Sequence, residues 1–354
     1  MKMIKTPHLK LYEQMSTKDL ILSSMTEGVI VLDKHSKIVI INDSAKSYLG
    51  LRNKSYNGKK IEEIVRIPNF VSFVKKLIKQ DETLVQELKI KKNPDKSFLI
   101  NGNVLKGKGI DILIVMNDIT KLKQLEKVRQ QFVANVSHEL KTPITSIVGY
   151  LETLRQNNIP SNKKDSFLKK ALKHSNRLNS IIDDLLWLSL IESKEEDKNF
   201  HLFKQPVFQV LQGAIDDIQS VADNDKTNIK LTCDSTILVN ADAQLLREAI
   251  INLIANAVKY GDPLAEITLT VGQNHKTRRT DINVHNFGDP IPKKYNKTIF
   301  HRFSRIDKGR SREKGGTGLG LAIVKHIIFV HDGDITLKSN LETGTTFTIS
   351  LPLI

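Results

Sequence analysis

The stretch Phe132-Val133-Ala134-Asn135-Val136-Ser137-His138-Glu139-Leu140-Lys141-Thr142-Pro143 sets a nucleophile beside an acid. On a helix, His138 and Thr142 stand four apart and share a face, with Glu139 next to the histidine. A neutral imidazole, with an unperturbed pKa of about 6.5, is a good nucleophile near pH 7. An adjacent carboxylate can take its ring proton and fix the tautomer. Pro143 removes a backbone donor and crowds the carbonyl of Glu139, so a local bend is expected beside His138. On its own the stretch reads equally well as an exposed helix histidine.

Two further runs suit phosphate chemistry. In Arg247-Glu248-Ala249-Ile250-Ile251-Asn252-Leu253-Ile254-Ala255-Asn256-Ala257-Val258-Lys259-Tyr260-Gly261, two asparagines lie one helical turn apart among apolar residues. Asparagine inside a helix is unfavourable unless its amide has partners. An amide oxygen suits a hard cation such as Mg²⁺ shared with phosphates, and Lys259 could reach a phosphate as a point charge. Solvated surface asparagines are the plainer alternative. In Gly315-Gly316-Thr317-Gly318-Leu319-Gly320-Leu321-Ala322-Ile323-Val324-Lys325, glycines let the backbone approach a phosphate chain, and the following helix offers N-terminal amides. The run lacks the Lys-Ser or Lys-Thr ending of a P-loop. Nor does it follow a strand with an acid about 20 residues on, which disfavours a dinucleotide fold.

Three kinds of element are needed to position these groups. Residues 18–120 alternate apolar and polar positions in Gly28–Asp33, Lys37–Asn42 and Ile110–Met116, the first two forming a hairpin. A helix is expected over 70–79, with turns at Asn93-Pro94-Asp95 and Lys106-Gly107-Lys108-Gly109. From 119 the period becomes helical, through Leu122, Leu125, Phe132 and Val136. After Asn157-Asn158-Ile159-Pro160 it resumes through Leu168, Leu172, Leu178, Ile181, Leu185 and Leu188, giving an antiparallel helical hairpin. Two helices bury little, so a second copy would complete a four-helix bundle. Residues 200–354 alternate: a helix over 241–258, strands over 266–271 and 280–285, a helix over 319–330, and closing strands over 333–339 and 345–351, which make an α/β sandwich. The long span 286–314, rich in Lys, Arg, Pro and Gly, reads as a functional lid.

A single cysteine, Cys233, excludes a disulfide framework and a multi-cysteine metal site. The net charge of +15 points to an anionic partner. It is concentrated in residues 1–120, with 21 basic against 13 acidic side chains, and in 276–314, with 12 against 4. No run reaches the roughly 20 apolar residues that span a bilayer. The best candidate, Ser180–Leu188, is interrupted by Asp183 and Asp184. The amino terminus has no apolar core behind its basic start, so a cytoplasmic chain is expected, or the cytoplasmic part of a longer membrane protein.

Taken together and in order, these pieces resemble a bacterial sensor histidine kinase. Ser137–Pro143 resembles the phosphoacceptor box and the Asn252/Asn256 helix the asparagine box. Asn286-Phe287-Gly288-Asp289-Pro290-Ile291-Pro292 and Gly316-Thr317-Gly318-Leu319-Gly320-Leu321 resemble the two glycine boxes. Ile299-Phe300-His301-Arg302-Phe303 resembles the phenylalanine box, and Gly344-Thr345-Thr346-Phe347 the last glycine motif. The resemblance implies a multidomain α+β chain. Its parts are an N-terminal segment (1–17), a PAS-like sensor (18–118), a dimeric helical hairpin (119–195) and a GHKL-type α/β sandwich that binds ATP (200–354).

The resemblance also implies roles for single residues. His138 accepts the γ-phosphoryl group with Glu139 as general base, and Glu139 and Thr142 place a water that dephosphorylates the regulator. Asn256 contacts Mg²⁺ and Asn286 the adenine. Asn252, Lys259, Tyr260, Gly288, Gly316, Thr317, Gly318, Leu319 and Gly320 belong to the nucleotide site. The basic lid, including Arg302, Arg305 and Lys308, closes over the triphosphate. Asn286 replaces the family's usual aspartate, Pro290 its second glycine, and Asn252 stands where hydrolysing gyrase-like ATPases carry a glutamate base. Within the family, the histidine box and Ser311–Gly316 most resemble phosphate-responsive sensor kinases. The implied partners are a response regulator receiver domain and a second copy. Direct nucleic-acid binding has no aromatic-rich basic sheet or helix-turn-helix signal behind it. An inactive ATP-binding scaffold is disfavoured by the intact His138, Glu139, Asn256 and glycines. The sensor module has no cysteine for a flavin adduct, and its His35 falls in a turn, unsuited to a haem.

Overall fold

The computed structural model describes residues 17–52, 54–80, 82–91, 94–105, 112–156, 159–196, 202–224, 227–306 and 316–354. The chain divides into two compact units, Met1–Gln131 and Phe132–Ile354.

The first unit holds a five-stranded antiparallel sheet in the order β2-β1-β5-β4-β3. Its strands are β1 (Gly28–Leu32), β2 (Ile38–Ile41), β3 (Leu84–Ile90), β4 (Lys96–Val104) and β5 (Ile112–Asp118). The β1–β2 turn is fixed by the Asp33 carboxylate, which accepts from the backbone N–H of His35 and of Lys37, both at 2.8 Å. His35 itself is exposed. Helices α1 (Thr17–Ser24), α2 (Asp43–Leu49), α3 (Ile61–Ile64) and α4 (Pro68–Gln80) accompany the sheet. Phe70, Phe73, Val74 and Leu77 of α4 are buried in one cluster with Phe98, Ile100, Ile114 and Met116 of the sheet. A Cβ on Gly102 would lie 2.4 Å from Leu77 Cδ2, so α4 rests directly on β4.

Helix α5 (Thr120–Leu154) starts where β5 ends. Asp118 accepts from the Thr120 N–H at 3.0 Å and from the Thr120 hydroxyl at 2.5 Å, and Lys96 pairs with it at 2.9 Å. Burial opposes its charge, but the Thr120 and Lys96 hydrogen bonds hold its carboxyl below the usual carboxylate range. Such a cap supplies acceptors for N–H groups that the first helical turn leaves unpaired.

In the second unit, α5 runs on through Pro143 and pairs with α6 (Ser161–Glu196). Glu139 meets Arg177, and the Tyr150 ring lies 5.9 Å from that of Phe167. Contacts that advance on one helix retreat on the other, which makes the hairpin antiparallel. Leu168, Leu172 and Leu186 are 54%, 62% and 63% exposed, and Ile144, Val148 and Leu151 are also exposed.

The remaining elements are β6 (Phe203–Pro206), α7 (Val207–Asn224), β7 (Ile229–Thr232), β8 (Leu238–Ala241), α8 (Ala243–Tyr260), β9 (Ile267–Asn274), β10 (Arg279–Asn286), α9 (Gly320–Val330), β11 (Asp334–Asn340) and β12 (Gly344–Pro352). The main sheet runs β11-β12-β10-β9-β7, antiparallel except for the parallel β7–β9 pair. Burial alternates along β10, so one face of the sheet meets the helices. Leu253 of α8, Ile327 of α9, Leu269 and Ile349 share a core with Leu188 and Ile191 of α6. The hairpin's second helix is thus part of the sandwich core. The basic span is not a loose loop throughout. It contains a 3-10 turn at Lys293–Tyr295, and Phe300 is buried edge-on to Phe347 at 6.3 Å.

Candidate functional site

A cleft of about 470 Å³ opens in the second unit beside α8. The Asp242 carboxylate caps this helix by accepting from the N–H groups of Gln244 and Leu245, each at 3.1 Å. Leu246, Leu253 and Ala257 face the core, while Asn252, Asn256, Lys259 and Tyr260 line the cleft. Asn252 donates to the Glu248 carboxylate at 2.9 Å. Its oxygen faces Gly320, where a Cβ would approach to 2.5 Å, so the start of α9 can close on α8 only with glycine there. Among the described residues, Asn256 has no hydrogen-bond partner for its amide.

Asn286 ends β10, is 7% exposed and lines the cleft. Its amide nitrogen donates to the Phe287 carbonyl at 3.1 Å, which leaves the side-chain oxygen as the group able to accept. Gly316, Thr317, Gly318 and Gly320 form another wall. Gly318 has φ +78°, and a Cβ there would sit 3.0 Å from the Phe303 backbone, whose N–H donates to the Gly318 carbonyl at 2.7 Å. Leu319 and Gly288 do not line the cleft. Leu319 is fully buried and anchors the glycine run in the core. Gly288, at φ +155°, packs against the Tyr260 carbonyl, where a Cβ would come within 2.8 Å.

The basic side chains divide. Arg305 lines the cleft and donates to the carbonyls of Gly316 and Thr317 at 2.6 and 2.9 Å. Arg302, expected over the triphosphate, instead pairs with Glu192 of α6 and lies 5.1 Å from the Phe132 ring centre. Lys308 and Ser311–Gly315 lie outside the described residues.

His138 is exposed and is not among the residues lining the cleft. Glu139 is held by two arginines. Its Oε2 accepts from Arg177 at 2.9 Å and from Arg305 at 3.0 Å. Both are charge-assisted hydrogen bonds, which are the stronger ones. The Thr142 hydroxyl donates to the His138 carbonyl at 3.1 Å.

Sequence reasoning missed the contribution of α6. Ser180 lines the cleft directly. Asp184, one turn on, accepts a hydrogen bond from Thr317 and lies near Lys259. Burial, with Asp183 adding, pushes its carboxyl up to about 6. Burial and the nearby Asp184 likewise push Glu248 up. The signal was present, since Asp184 interrupts an apolar run where a charge is costly.

Comparison with known proteins divides the chain in the same order. The family "Histidine kinase-, DNA gyrase B-, and HSP90-like ATPase" matches residues 241–354. The "His Kinase A (phospho-acceptor) domain" matches 128–194, and a PAS domain matches 26–121. Sensor histidine kinase WalK of Bacillus subtilis is 31% identical over 339 residues, covering 94% of this chain and 54% of that protein. A sensor protein kinase WalK of Staphylococcus aureus is 30% identical over 347 residues, covering 94% of this chain and 80% of that protein. The chain thus spans about half the length of the Bacillus relative. Among solved structures, histidine kinase ThkA in complex with response regulator protein TrrA aligns with a TM-score of 0.51 at 20% identity, over 96% of this chain and 99% of that one. That alignment establishes a shared fold. Among the described residues, no helix is long and apolar enough to cross a membrane.

Proposed function

Because the chain belongs to the sensor histidine kinase family, we propose that it is an ATP-dependent protein-histidine kinase. In this reading it phosphorylates His138, passes the phosphoryl group to an aspartate of a response regulator, and also dephosphorylates that regulator. The working parts are a PAS sensor over 18–118, the hairpin over 119–195 and the ATP-binding domain over 200–354. The cleft carries the reading. It sets an oriented amide acceptor, an unengaged amide, a lysine, an arginine and a glycine run around one cavity.

The Asn286 oxygen accepts from the adenine amino group. Lys259, Arg305 and the glycine-run amides meet the phosphates, so this stage is mostly positioning and charge neutralisation. Asn256 is suited to Mg²⁺, because among the described residues its amide has no partner and the ion takes oxygen ligands shared with phosphates. When bound, Mg²⁺ offsets phosphate charge. A ring nitrogen of His138 attacks the γ-phosphorus. As the P–N bond forms, the bond to the ADP oxygen breaks, and Glu139, once released by its arginines, takes the ring proton. The P–N product then serves as donor to the regulator's carboxylate. The ThkA complex with TrrA supports a receiver partner. The exposed leucines of the hairpin support a homodimer. Membrane attachment in a longer protein is compatible with this arrangement.

Incubation with γ-labelled ATP tests the reading. The wild-type chain takes up label, His138→Ala takes up none, and Asn256→Ala is reduced at least ten-fold. Label persisting on His138→Ala would sink it.

A further inference from the structure

Glu139 of α5 and Arg177 of α6 face each other across the hairpin. Glu139 Oε2 accepts from Arg177 Nη2 at 2.9 Å, and the two side chains are only 13% and 9% exposed. An ion pair this sheltered is not the surface kind, which solvent and salt reduce to little. Ala171 and Ile181, on either side of Arg177 along α6, are buried and fix its stretch of helix. His174, one turn earlier and 5.9 Å from the Tyr150 ring, feels the same charge. Burial, and then Arg177, holds its imidazole below the usual range. Arg305 reaches the Glu139 oxygen from the basic span, whereas Arg177 belongs to the hairpin itself.

We infer that Arg177 is a positioning residue that restrains Glu139 and thereby slows phosphorylation of His138. The inference rests on the proposed role of Glu139 as base. When His138 attacks the γ-phosphorus, the P–N bond forms, the bond to the ADP oxygen breaks, and the ring proton passes to the Glu139 carboxylate. A carboxylate that takes this proton gives up its charge, and with it the charge-assisted bond to Arg177. An interaction that is stronger before the transition state than in it raises the barrier. Arg177 is not among the residues lining the cleft, so it acts through Glu139 and leaves ATP binding alone. The pair gives an exposed nucleophile a low resting rate.

Initial rates of label uptake from γ-labelled ATP, measured in the full chain over a range of ATP concentrations, test this. Arg177→Met removes the charge and keeps an unbranched side chain. It is expected to raise kcat about five-fold, with KM for ATP within about two-fold of wild type. Arg177→Lys, which keeps the charge, should stay near the wild-type rate. In a slower Glu139→Gln background, Arg177→Met should change nothing further, since the amide has no charge to give up. A merely structural Arg177 predicts the opposite, a kcat lowered by the same factor in both backgrounds. A lower or unchanged kcat in Arg177→Met overturns the inference, as does a rise that survives in Glu139→Gln, and both leave the kinase reading standing. If Arg177→Met shows no cooperative thermal unfolding, Arg177→Gln takes its place and the same outcomes decide. A wild-type rate in Glu139→Gln alone removes Glu139 as base and the inference with it. No label on the wild-type chain overturns the kinase reading as well.

Discussion

His331 is 1% exposed and joins two helices: its Nε2 accepts from the Asp242 N–H at 3.0 Å, and its Nδ1 meets the Ile327 carbonyl at 2.7 Å. That pairing needs the neutral ring with the proton on Nδ1. Burial holds its pKa below the usual 6.5, although the Ile327 hydrogen bond opposes this. As pH falls, the unfolded chain takes up this proton before the folded one does. Stability present above pH 6.5 is therefore lost as pH drops through that value and on toward the folded pKa. Asp184, faced by Asp183, Glu248 and Lys259, has the opposite sign. With its pKa raised from 3.8 to about 6, its charge costs stability at neutral pH, and the cost fades as pH falls through about 6. Thermal melts should show Asp184→Asn more stable than wild type at pH 7.5 and equal to it near pH 4. His331→Leu should be less stable at pH 7.5 and flatter between pH 7 and 5.5. A wild-type-like acid slope in His331→Leu would remove that residue from the account. At the same scale, Asn286→Leu removes the acceptor proposed for adenine and should weaken nucleotide binding by about 1–3 kcal/mol, read by calorimetry.

The sensor module's main helix is pinned by Leu77 and Phe73 against Gly102. Gly102→Val forces side chains into an already filled space and should cost about 1–3 kcal/mol in urea unfolding of the sensor transition. The start of α5 depends on Asp118, which collects Thr120 and Lys96. Asp118→Ala should cost about 1 kcal/mol through the lost cap. Faster amide exchange over 120–123 is the measurement, and unchanged protection there would refute the cap. Hydrophobic period and turn residues made α4, α5, α6 and α8 readable. The strands β3 and β4 were not, because their exposed faces carry mixed residues and their pairing is set by partners in the sheet rather than by local pattern.

For the whole molecule, the hairpin leaves leucines on its surface that two helices cannot cover. Sedimentation should give twice the 40.0 kDa chain mass, and the double variant Leu172→Glu with Leu186→Glu should sediment as the single chain. A wild-type chain that stays single at micromolar concentration would refute the dimer. The charge of +15 also resolves into parts. Arg305 faces the cleft while Arg302 pairs with Glu192, so the basic span both lines the cleft and is fastened to α6.

The sequence by itself determined the order of modules, the hairpin, and the asparagines and glycines that line the cleft, because each motif is local and its side chains follow from helical period or a glycine turn. Only the tertiary structure decided where Glu139 points, that Arg302 stands apart from the cleft, and that Asp184 reaches Thr317. These contacts join residues 38 to 166 positions apart, and no local spacing encodes them. They are chosen by how α6 docks on the sandwich core, where burial of Leu188 and Ile191 outweighs the cost of carrying a carboxylate in with them.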